Sequence, residues 1–149
     1  MISKILVPTD GSKAAQKAAR YAIDLAKQIK ATIVILCVID KGSFLSQTIP
    51  ARKAARHVTE TLEDYLREAA QEFIGEIKKL CDQNEVPSKT ITTVGHPVEE
   101  ILKKAQREKT DLIIIGSHGK SALAAAVLGS VTYGVIHKES KIPVLIVRR

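Results

Sequence analysis

A chain of 149 residues with a formal charge of +7, 45% apolar but only 3% aromatic and without tryptophan, must build an aliphatic core of Ile, Val, Leu and Ala. That length suits one domain over residues 1–149, and no apolar run approaches the roughly 20 residues of a membrane span. Met1 leads straight into strand-like residues rather than a signal peptide, and neither Cys37 nor Cys81 belongs to a ligand-spaced pair, so reduced structural thiols and a cytoplasmic location are expected.

Ile5, Leu6 and Val7 read as a buried strand halted by Pro8, and Thr9-Asp10-Gly11 as a polar turn. Ser12 can cap a helix whose apolar face runs Ala15, Ala18, Ala19, Ala22, Ile23, Ala26 and Ile29. The continuous β-branched run Ile33 to Ile39 predicts a central strand. Asp40 to Pro50, with Gly42, Ser43 and Ser46, reads as a loop. A long helix follows from about Ala51 to Asn84, with Leu62, Leu66, Ala69, Phe73, Ile77 and Leu80 as its expected buried stripe. Ser88 to Val94 alternates threonine with apolar residues, the pattern of an edge strand. Pro97, Glu99 and Glu100 suit the first turn of a third helix. Leu112 to Ile115 is wholly apolar and predicts a strand covered on both faces. A last helix from about Gly129 to Lys138 and a final strand Val144 to Val147 complete the chain. Strands and helices alternate throughout, so right-handed crossovers predict a mostly parallel sheet with helices on both faces.

Ligands of such sheets sit beyond the carboxyl ends of the strands. Two of those ends carry suitable chemistry: Pro8-Thr9-Asp10-Gly11 after the first strand and Gly116-Ser117-His118-Gly119 after the fourth. If the two strands are neighbours, both loops flank one crevice. Gly119-Lys120-Ser121 invites a P-loop reading, but that motif needs a glycine where Ile114 stands, inside the strand. The dinucleotide fingerprint fails on spacing as well. What remains is Gly116-x2-Gly119-x9-Gly129-Ser130, two glycine turns joined by a tether. Glycines admit close approach of an anion, and helix-start N–H groups point toward it, so the pattern predicts a phosphate site.

With that motif, the sequence resembles the ATP-binding branch of the universal stress protein family. The likeness runs through Val7-Pro8-Thr9-Asp10-Gly11-Ser12, Cys37-Val38-Ile39-Asp40, Gly95-His96-Pro97 and Pro143-Val144-Leu145-Ile146-Val147. It implies a Rossmann-like α/β fold of the adenine nucleotide alpha hydrolase-like kind, a five-stranded open sheet of order 3-2-1-4-5, and a homodimer joined through Val144–Val147. It also implies ATP as ligand, with Mg²⁺ or Mn²⁺ accompanying the nucleotide. Pro8, Thr9 and Asp10 are then expected on the adenosine side and the backbone of Val38 at the adenine edge. Gly116, Ser117, His118, Gly119, Lys120, Ser121 and Ala122 are expected along the phosphates or ribose. Gly129, Ser130, Val131 and Thr132 suit the outer phosphates, with Thr132 or Ser130 in reach of a cation; the plain alternative for Ser130 is a helix cap and for Asp10 a cap for the first helix. His57, His96 and His137 are read as surface or turn residues.

No paired carboxylates, Ser-His-Asp set or metal cluster stands out, so the expected function is nucleotide binding, with a switch role in the stress response. A slow, partner-dependent Mg-ATPase is the alternative. The positive charge raises a third reading, nucleic-acid binding, but Lys and Arg are interspersed with Glu and Asp and no aromatic-basic sheet surface appears, so a field that attracts ATP is preferred.

Overall fold

The computed structural model describes residues 1–40, 56–119, 128–138 and 140–148. The expected loop at 41–50 and the start of the long helix at 51–55 lie outside the described residues, as do Lys120, Ser121 and Ala122. The elements are β1 (Lys4–Pro8), α1 (Lys13–Ile29), β2 (Thr32–Ile39), α2 (Arg56–Gln83), β3 (Ser88–Val94), α3 (Pro97–Arg107), β4 (Leu112–Gly116), α4 (Ser130–His137) and β5 (Val144–Val147). The five strands form one sheet of order β3-β2-β1-β4-β5, and every pairing is parallel.

Strand periodicity divides the core into two layers, since successive side chains leave opposite faces. Ile5 and Val7 of β1, Ile33, Ile35 and Cys37 of β2, and Leu112 and Ile114 of β4 pack with α1 and α2. Leu6, Val34, Leu36, Ile113 and Ile115 pack with α3 and with Val135 of α4. The central strands β2, β1 and β4 are thus apolar on both sides, whereas β3, on the edge, is only partly buried.

Helix α1 begins where Ser12 accepts a hydrogen bond from the Ala15 amide at 3.1 Å, as its sequence predicts. Its alanines face the sheet, but Ile29 does not: it is exposed in the last turn, because the chain leaves through Lys30 in the left-handed region at φ 58°. The buried stripe of α2 is also rotated from expectation. Ala70, Ile74, Ile77 and Cys81 are fully buried, while Leu66, Phe73 and Leu80 flank them half-buried and Leu62 and Ala69 are likewise partly exposed. Both stripes obey helical spacing and share Ile77, so periodicity alone could not choose the one centred on the sheet. Phe73 gains a task from its flank position. Its ring occupies the place where a Cβ on Gly11 would stand, and Gly11 holds φ 79°, so glycine is required there twice over.

Candidate functional site

Strands β1 and β4 are neighbours, so the two loops expected to share a crevice do so. At the end of β1 the Thr9 amide still donates to the Leu36 carbonyl at 2.8 Å, and then the chain turns away. Two side chains shape that turn: Thr9 Oγ1 accepts from the Gly11 amide at 3.2 Å, and Asp10 Oδ1 from the Ser12 amide at 2.9 Å. The carboxylate of Asp10 therefore leans across the gap, with its Oδ2 2.6 Å from where a Cβ on Gly119 would lie. Gly119 lacks a side chain and leaves that space to the carboxylate.

The β4 side is built by backbone ties. Gly116 ends the strand with a Cβ position 2.9 Å from the Ala14 backbone, so its small size serves close packing of α1. The Ser117 amide donates to the Val147 carbonyl of β5 at 3.0 Å. Ser117 Oγ lies 2.9 Å from His118 Nδ1, and both residues are more than nine-tenths buried. The Gly129 amide then donates to the Ser117 carbonyl at 2.7 Å. That bond closes the tether: Gly129 sits so near that a Cβ on it would be 3.1 Å from His118 Cα and 3.4 Å from the Gly119 nitrogen. The two glycine turns, ten positions apart in sequence, touch.

Gly129 is also the N-cap of α4, extended at φ −70° and without a side-chain cap. Ser130 is thus not the cap, a correction to one reading of the sequence; it is the exposed first residue of the helix. The first α-helical bond of α4 runs from the Tyr133 amide to the Gly129 carbonyl at 2.9 Å. The amides of Ser130, Val131 and Thr132 precede that bond and have no acceptor inside the helix. The Thr132 hydroxyl is buried and donates to the Gly116 carbonyl at 2.7 Å, which fastens the helix start to the end of β4.

Val38 stands on β2 two residues beyond Leu36, the last residue paired with β1. Strand period makes its backbone N–H and C=O point the same way as those of Leu36, toward the space above the end of β1. Asp10, Gly119, Gly129, the α4 amides and the Val38 backbone edge therefore rim one mouth at the carboxyl end of the sheet. Among the described residues no group of three His, Cys, Asp or Glu side chains converges as a metal centre would. His96 and His137 are exposed, as expected, and His137 stacks on Tyr133. The sequence did not signal the contact of Ala14 with Gly116 or the latch from Gly129 to the Ser117 carbonyl, because both are made by backbone atoms that any residue type supplies.

Residues 1–148 match the universal stress protein family. The chain belongs to that family. The universal stress protein MJ0531 of Methanocaldococcus jannaschii is 35% identical over 149 residues, covering 100% of this chain and 84% of its own. MJ0577 from the same organism is 39% identical over 158 residues, covering 100% and 96%. Its solved structure superposes with a TM-score of 0.86 over 100% of this chain and 97% of that one, at 38% identity. The universal stress protein UspA from Lactobacillus plantarum is 26% identical, with a TM-score of 0.85 and coverage of 99% and 98%. No helix among the described residues is long and apolar enough to cross a membrane.

Proposed function

We propose that this universal stress protein binds ATP at the mouth between β1 and β4 and acts as a nucleotide-dependent switch. The observation that carries the reading is the touching pair of glycine turns, Gly119 against Gly129, beside the uncapped start of α4. A triphosphate lying there meets three amides at the positive end of a helix dipole. Asp10, above Gly119, stands where a ribose hydroxyl would donate. The backbone edge of Val38 offers one donor and one acceptor in plane, the pair that the adenine edge requires. Mg²⁺ or Mn²⁺ would enter with the nucleotide and neutralise charge on the phosphates. Asp10 is the carboxylate that would meet it, and Thr132 Oγ1, which donates its proton to the Gly116 carbonyl, keeps its lone pairs for a cation.

Two further parts belong to the same proposal. The molecule dimerises by antiparallel pairing of its β5 edges, since Val144, Leu145 and Ile146 are only partly buried on an outermost strand, an arrangement that otherwise invites aggregation. Nucleotide binding is its task in this reading, and a slow Mg-ATPase is the alternative that steady phosphate release from ATP by the purified protein would favour.

Titration calorimetry with ATP on the wild type and on Gly119→Val tests the site. The valine side chain has to displace the Asp10 carboxylate, so affinity is expected to fall by at least about tenfold, about 1.4 kcal/mol, with the fold retained. Equal affinity in the two proteins contradicts the proposed site.

A further inference from the structure

Helices α1 and α2 cover the same face of the sheet and touch each other, so their outer faces lie side by side. Those faces carry opposite charge. On α1, Lys13, Lys17, Arg20 and Lys27 are exposed and recur at helical spacing opposite the buried alanines, with Asp24 the single acid in the stripe. On α2, Asp64, Glu68, Glu72 and Glu76 are all exposed and stand four residues apart. Arg67 is already paired with Glu63 at 3.1 Å, and exposed Lys79 follows Glu76 by one turn. None of the nine stripe side chains just named is in an ion pair among the described residues.

The acidic stripe is unfavourable by itself, since like charges four apart on a helix repel. At its C-terminal end, beside Glu76, is Gly75, exposed, with open space where a Cβ would stand. A glycine inside a helix is costly, and no neighbour within this chain requires one there. It leaves bare backbone beside Glu76, where an incoming side chain can approach closely.

We propose that α1 and α2 together form a self-complementary docking face for a second copy of this chain. Both helices return between parallel strands, so they run in the same direction. A twofold axis along the groove between them sets α1 of each copy on α2 of the other, and both charge pairings are made at once. That axis preserves height along the helices, and the Phe73 ring meets Gly11 just before Lys13, so the pairing is between Lys13, Lys17 and Arg20 and the C-terminal part of the acidic stripe at Glu72 and Glu76. A nucleic acid would satisfy only the α1 stripe and be repelled by its neighbour, whereas a second copy satisfies both. This face is separate from the β5 edge and from the mouth at the carboxyl end of the sheet. Exposed ion pairs are individually weak and screened by salt, so the association is reversible and salt-labile.

Sedimentation velocity on nuclease-treated protein tests this. The wild type is expected to be heavier in about 20 mM salt than in about 500 mM salt. The triple variants Lys13→Glu/Lys17→Glu/Arg20→Glu and Glu68→Lys/Glu72→Lys/Glu76→Lys, all at exposed positions, should fold normally by circular dichroism. Each alone should keep its high-salt mass at low salt, because two like stripes then oppose each other. Mixed in equal amounts they should regain the wild-type mass, since both pairings in the mixed species are again between opposite charges. A wild type indifferent to salt, a variant that associates as the wild type does, or a mixture no heavier than its components overturns the proposal.

Discussion

At the residue scale, small differences in what a side chain touches separate glycines that look alike in sequence. Gly116 is closed off by the Ala14 backbone, Gly119 faces the Asp10 carboxylate, and Gly129 abuts the backbone of its own loop. Gly116→Ala should therefore lower stability, read as a drop in melting temperature, because helix α1 must shift. Gly119→Val should instead spare stability and reduce ATP affinity. The motif named all three as phosphate positions, and their neighbours in the fold show that Gly116 also meets a packing demand from α1. Asp111 offers a second residue-scale test. Its carboxylate accepts from the Ser3 amide, the Ser3 hydroxyl and the Lys4 amide, and these bonds hold it below the usual carboxylate range. A carboxylate with a depressed folded pKa contributes stability above its unfolded pKa and loses it as the pH falls through the folded value. Asp111→Ala should thus be less stable than the wild type at pH 7 by thermal melting. The gap should narrow as the pH drops below about 4. Cys81 goes the other way: burial pushes its thiol up, so it should resist a thiol reagent until the protein unfolds.

At the element scale, capping and packing set the predictions. Helices α1 and α3 are followed by Lys30 and Lys109, and α2 by Glu85, all with positive φ, a conformation that glycine adopts without strain. Lys30→Gly should raise stability by about 0.5–1 kcal/mol in urea unfolding. Gly75→Ala should add a comparable amount, about 1 kcal/mol, since it restores helix propensity where space is open. Ile74→Ala should cost roughly 2–5 kcal/mol, because Ile74 is buried at the centre of the α2 stripe. Leu66 and Phe73 have the same spacing but lie on its flank, partly buried. Element type and order were legible because strands read as apolar runs and helices as 3.6-residue stripes. The rotation of α2 was not legible, because two stripes offered equal periodicity and only the angle at which the helix meets the sheet selects one.

At the scale of the whole molecule, topology supplies what no single motif does. The crevice exists because β1 and β4 are adjacent, although about a hundred residues of sequence separate them. The sequence showed two polar loops and the structure joins them, with Asp10 leaning over Gly119 from one side and α4 opening from the other. The central claim is that this mouth holds an adenine nucleotide by backbone amides and glycine-made space. A crystal structure grown with ATP tests it most directly. The account predicts the triphosphate against Gly119, Gly129 and the first amides of α4, with the base at the backbone edge of Val38. ATP bound elsewhere, or a mouth closed by side chains in crystals saturated with nucleotide, would contradict it.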